Sequence, residues 1–97
     1  MGQIRIKMHP EDSNLLERKF YEHAALKDCV AFLMKDMDVN EELLDGYVKK
    51  VGVLYYELEK SKRLLSKKYE PMGLNGKSYD YYFDFEEETI TYVEKTD

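Results

Sequence analysis

The side chains able to do chemistry are few and scattered along this sequence. His9 stands beside Glu11 and Asp12, and an imidazole with two carboxylates is a set that metal ions favour. A structural metal centre needs four ligands at defined geometry, and no second group follows at ligand spacing. The two acids also sit where a helix begins, where the helix dipole stabilises negative charge. Helix-start polarity accounts for the cluster. His23 falls on the packing face of the helix described below, where a hydrogen-bonded core histidine is expected rather than a catalytic base. Cys29 has no neighbouring His or cationic cluster to make it reactive, so a buried structural thiol is expected.

Three further stretches resemble motifs without completing them. Gly76-Lys77-Ser78 has the lysine and hydroxyl of a phosphate loop. The upstream glycine is missing, and a strand pattern follows where that loop requires a helix. It reads as a turn. Glu86-Glu87-Glu88 reads as a solvated turn rather than a cation site. Tyr79, Tyr81, Phe83 and Phe85 alternate like the aromatics of a base-stacking sheet, but such sheets are basic. Here seven acids lie between Asp80 and Asp97 against Lys95 alone, so the aromatic row is expected to be core. No nucleophile elbow or paired-cysteine motif is present. The expectation is a protein that is not an enzyme, with no catalytic residue, no cofactor and no metal.

Ninety-seven residues with a net charge of −5 and 43% apolar content suit one small domain with enough material for a core. At this size burial is marginal, and oligomerisation is a common remedy. The negative balance argues against nucleic acid, whose affinity comes largely from neutralised phosphates. No apolar run approaches the roughly 20 residues of a membrane span, and no signal peptide is expected from the N-terminal stretch. A single cysteine suits a reducing, cytoplasmic location.

The elements that must position these side chains are more legible. Gln3 to Met8 alternates apolar and polar residues and predicts a strand over 3–8. Pro10, Glu11 and Asp12 open a helix predicted over 10–37. One face of it carries Leu15, Leu16, Phe20, Leu26, Val30, Leu33, Met34 and Met37. A thinner second arc carries Tyr21, Ala25, Cys29 and Phe32, and a helix with two apolar arcs contacts two things. Asn40 is a good cap for a second helix over 41–69. Leu44, Val51, Leu58 and Leu65 recur every seven residues there, with Tyr47, Val48, Leu54 and Tyr55 between them. The short connection forces an antiparallel pair, which sets His23 level with Tyr55 and Tyr56. Val53, Tyr56 and Leu64 lie off the seam. Gly73, Asn75 and Gly76 mark turns, and a β-hairpin follows over 79–94. Its turn is read at Glu86 to Thr89, with Phe85 opposite Ile90 and Phe83 opposite Tyr92.

The fold expected is therefore α+β, in the order β-α-α-β-β. A long antiparallel helical hairpin packs on a small three-stranded antiparallel sheet, in a single domain over 1–97. Strands of roughly 23 Å cover only part of helices of roughly 42 Å. Phe32, Met37, Val39, Leu43 and Tyr47 at the tip, with Val53, Tyr56 and Leu64, then form the candidate interaction surface. The function expected is that of a small non-catalytic accessory or interaction subunit. Its partner is a second copy or a larger enzyme subunit. One alternative is strand addition of an extended peptide to a sheet edge, as in an accessory subunit of a ribosomal-peptide-modifying enzyme, with residues 3–8 and 90–94 as the edges. A phage or mobile-element structural protein is the other alternative.

Overall fold

A computed structural model of the chain describes residues 2–35, 38, 40–74 and 76–95. The elements run β1 (Gln3–Lys7), α1 (Pro10–Leu33), α2 (Glu41–Lys68), a one-turn 3-10 helix (Met72–Leu74), β2 (Tyr79–Asp84) and β3 (Thr89–Glu94). The fold is α+β, with two helices and one antiparallel sheet in the strand order β1-β3-β2. The chain divides into two compact units. One holds the residues up to Leu15 with those from Lys62 onward, and the other is Leu16–Ser61.

The first unit is built around β3. Ile6 and Ile4 of β1 pair with Ile90 and Tyr92, while Phe83 and Tyr81 of β2 pair with the same two residues from the other side. Side chains alternate across a strand, so all six share one face. Ile90 and Tyr92 are completely buried there, with Met8 and Leu74, and Tyr69, Tyr79 and Phe83 pack around them. Burial of an apolar side chain of this size stabilises by about 1.5–3 kcal/mol. The opposite face carries the exposed Asp80, Tyr82 and Asp84.

The hairpin register differs from expectation by two residues. Phe83 faces Ile90 and Tyr81 faces Tyr92, in place of Phe85 and Phe83. The loop is Phe85 to Glu88. Asp84 Oδ1 accepts from the Glu87 amide, and Glu88 closes the turn in the left-handed region at φ 55°. A shift of two preserves the face of every side chain, so the aromatic row still points to the core. The pairing also makes β3 the central strand. Residues 90–94 are therefore not an edge, contrary to expectation; the edges are β1 and β2.

Each end of the helical segments is closed by identifiable bonds. The His9 carbonyl accepts from the amides of Asp12 and Ser13, which starts α1. At the far end the Lys35 amide turns to the Phe32 carbonyl, so α1 stops at Leu33, short of the expected 37. Positions 36 and 37 lie outside the described residues. Asn40 Oδ1 accepts from the amides of Glu42 and Leu43, as a cap should. At the end of α2 the Glu70 amide bonds to Lys67 rather than to Ser66, and Pro71 has no amide hydrogen to offer. The Ser66 carbonyl instead accepts from the Tyr92 hydroxyl at 2.6 Å, in a buried position. Burial, first, pushes the Tyr92 phenol well above its usual range, which keeps it a donor.

A second tie joins the start of α1 to the end of α2. The Asp12 carboxylate accepts from Lys68 Nζ at 2.7 Å and from the Tyr69 hydroxyl, and that hydroxyl accepts from the His9 amide at 2.9 Å. The Lys68 bond, then the Tyr69 bond, hold the Asp12 carboxyl below its ordinary value of 3.8. Folding thus lowers this pKa, so its stabilisation is present above the unfolded value and is lost as pH falls through the folded one.

Two outcomes are predicted. Tyr92→Phe destabilises the protein by about 1–2 kcal/mol, because it strands the buried Ser66 carbonyl; urea denaturation measures this. Asp12→Asn lowers thermal stability at pH 7, and the difference from the natural protein shrinks below pH 3.8. A difference that is constant across that range contradicts the role given to the carboxylate.

Candidate interaction surface

The unit Leu16–Ser61 consists of the greater part of both helices and their connection. Lys19 Nζ donates to Ser61 Oγ at 2.9 Å. The rings of His23 and Tyr55 lie 5.5 Å apart, which is the level read from the sequence. As residue numbers rise on α1, partners fall on α2, so the helices are antiparallel. His23 is half-buried against this ring.

The seam between the helices is narrower than the heptad pattern implies. In this unit Leu16, Val30 and Leu58 are fully buried. Leu26, Leu33, Leu44, Tyr47, Val51 and Leu54 are half-buried. Val48 and Tyr55, read as seam residues, are exposed, as are Phe20 of α1 and Met34 just beyond its end. Two cylinders share only one line of contact, and residues flanking that line keep most of their surface. On α1 the apolar residues are spread almost evenly around the axis, so one neighbouring helix cannot cover them.

The residues expected to form an interaction surface fall as follows. Phe32, in the last turn of α1, is 73% exposed, and Leu43, in the first turn of α2, is 52% exposed. They flank the connection between the helices. Val53 and Tyr56 are exposed one turn apart on α2, so they share a face. Tyr47 is half-buried in the seam. Leu64 is exposed but belongs to the other unit. Met37 and Val39 lie outside the described residues.

Cys29 is exposed, a correction to the buried thiol expected. It stands on the second arc of α1, away from the face that meets α2. The other singled-out residues have structural partners. Asp12 is engaged by Lys68 and Tyr69, so it is not held open for a metal. Among the described residues, no three His, Cys, Asp or Glu side chains converge. Gly76 adopts φ 82° in the turn before β2, where the Lys77 amide donates to the Leu74 carbonyl. The Glu87 carbonyl accepts from Lys7 Nζ and the Glu88 carbonyl from the Met8 amide, so this run is a turn bonded to β1. No helix among the described residues is long and apolar enough to cross a membrane.

One constellation escaped the sequence reading. Arg63 and Lys67 of α2 line an open groove with Lys77, Tyr79, Tyr81 and Lys95, of about 420 Å3. Complementing the helix dipole explains the cations near the end of α2 locally. Lys77 and Lys95 are 18 positions apart and come together only because Lys95 pairs with Ser78 at the mouth of the hairpin. Tyr79 forms the floor. Burial, then the Glu70 carboxylate that accepts its hydroxyl at 2.7 Å, push its phenol up to about 12.

Comparison with protein-family models, curated proteins and solved structures finds no match for this chain. Function is therefore argued from the geometry alone.

The exposure of Cys29 is directly measurable. A maleimide or disulfide reagent is expected to modify it in the native protein at a rate close to that in urea. Protection by a factor of a hundred or more, roughly that of a core thiol opening only by local unfolding, contradicts the position described.

Proposed function

We propose that this protein is a small non-catalytic interaction subunit that associates through its helical hairpin, with a second copy of itself as the partner. One observation carries this reading. Among the described residues of the unit Leu16–Ser61, nine large apolar side chains are exposed against three that are buried. Phe20, Tyr21 and Phe32 are on α1 and Met34 directly follows it; Leu43, Val48, Val53, Tyr55 and Tyr56 are on α2. At roughly 100 Å2 each they approach the about 800 Å2 per partner that a stable interface buries.

A second copy is the occupant favoured by geometry. Two antiparallel helical hairpins, each with apolar side chains left bare outside its seam, can cover them by closing into a four-helix bundle. Such a contact is isologous: each patch meets its own equivalent across a twofold axis. The non-catalytic reading is supported by the way the titratable groups are used. Asp12, Lys68, Tyr69, Glu70 and Tyr79 bond one another. A lone exposed thiol fits a reducing, cytoplasmic compartment.

Light scattering after size exclusion is expected to give twice the 11.6 kDa chain mass at micromolar concentration. Val53→Asp combined with Tyr56→Asp is expected to give a monomer of unchanged helicity, because both positions are exposed in the isolated chain. A natural protein that is monomeric at every accessible concentration overturns the proposal.

A further inference from the structure

We infer a second binding site, separate from the hairpin surface: the open edge of β2, with the groove beside it, takes an extended acidic peptide by strand addition. The backbone geometry supplies the first half. The Ser78 carbonyl accepts from the Lys95 amide at 3.0 Å, and hydrogen-bonded pairs alternate along an antiparallel ladder. In the register of the hairpin, Asp80, Tyr82 and Asp84 then bond to β3. Tyr79, Tyr81 and Phe83 direct their amides and carbonyls outward. The other edge gives a consistency check. The Met8 amide bonds to the Glu88 carbonyl, so β3 offers residues 88, 90 and 92 to β1 and the alternate ones to β2. An open row of three residues templates a peptide of about five residues, roughly 17 Å long.

Charge supplies the second half. Side chains of an added strand share the face of the residues they lie beside, so those beside Tyr79 and Tyr81 enter the groove. Its rim is cationic although the chain carries a net charge of −5. Lys67, Lys77 and Lys95 are themselves exposed and form ion pairs to Glu70 at 3.5 Å, Glu94 at 3.4 Å and Asp80 at 3.4 Å, and Lys67 also lies 6.0 Å over the Tyr79 ring. Pairs of this kind are worth little, and an incoming carboxylate exchanges for them at small cost. Arg63 has no carboxylate partner among the described residues, and a guanidinium is the side chain best suited to bind a carboxylate in two-point fashion. The opposite face of the edge is acidic, through Asp80 and Asp84. A preferred peptide therefore alternates, with Glu or Asp toward the groove and neutral or basic residues on the other side. The same acids oppose pairing of two β2 edges, since like charges would meet. The outward residues of the β1 edge include Arg5 and Lys7, which blunt it.

The test uses the full chain and synthetic fluorescent peptides of eight residues: alternating Glu-Thr, alternating Lys-Thr, and the Glu-Thr peptide N-methylated at alternate positions. Binding is followed by anisotropy, and backbone amide shifts locate it. The Glu-Thr peptide is expected to bind, with shifts at Tyr79, Tyr81 and Phe83. N-methylation, which removes the donors of the ladder, and Arg63→Glu are each expected to weaken it by about tenfold or more. The Lys-Thr peptide is expected to bind at least as weakly as the N-methylated one. Equal binding of methylated and unmethylated peptides overturns strand addition, and so do shifts confined to residues 3–7. No binding, or shifts confined to residues 16–61, overturns the site itself. None of these outcomes depends on whether the hairpin surface dimerises. Arg63→Glu is made at an exposed position, and the peptide series reports even if that variant is unstable.

Discussion

The buried hydrogen bond from Tyr92 to the Ser66 carbonyl is the point on which the sheet-bearing unit depends. β3 is the only strand of this sheet bonded on both sides, and Tyr92 is its fully buried aromatic. The hydroxyl reaches a carbonyl that the end of α2 leaves without an amide. One bond therefore closes the helix and fixes the helix end on the sheet. Around it the registers of β1 and β2 follow, because Ile90 and Tyr92 must meet an apolar residue from each neighbour. The Asp12, Lys68 and Tyr69 network ties the first turn of α1 to the same helix end. It is more exposed than the Tyr92 bond, so it responds to pH where the Tyr92 bond does not.

The helical unit obeys a different constraint. Two helices in a hairpin have one shared line of contact, and among the described residues here that line buries Leu16, Val30 and Leu58. A single partner helix cannot cover apolar residues distributed around α1. The association proposed for this unit rests on that packing rather than on any motif. The sheet edge is a separate resource. Its open backbone groups and its asymmetric charge, basic on the groove side and acidic on the other, are the features on which the proposed peptide site rests. The two proposed surfaces use different chemistry, apolar burial on one and backbone pairing with charge on the other.

Local pattern determined much of this molecule. Alternation in QIRIK and YDYYFD, the cap at Asn40, the break at Pro71 and the seven-residue repeat of α2 each specify an element through interactions within a few residues. The α+β order and the level of His23 against Tyr55 followed from them, because a short connection leaves only an antiparallel pairing. Tertiary structure decided the rest. The hairpin register moved by two, since parity preserves the buried face and the loop geometry at Glu88 chose between equivalent pairings. The strand order placed β3 centrally, a choice between arrangements that all satisfy the same alternation. Exposure of Cys29, Val48 and Tyr55 depended on how wide the contact between two helices is, which periodicity does not encode. The groove needed Arg63 and Lys67 from a helix to meet Lys77 and Lys95 from either side of a hairpin, and charges distant in sequence become one surface only when the backbone between them is folded.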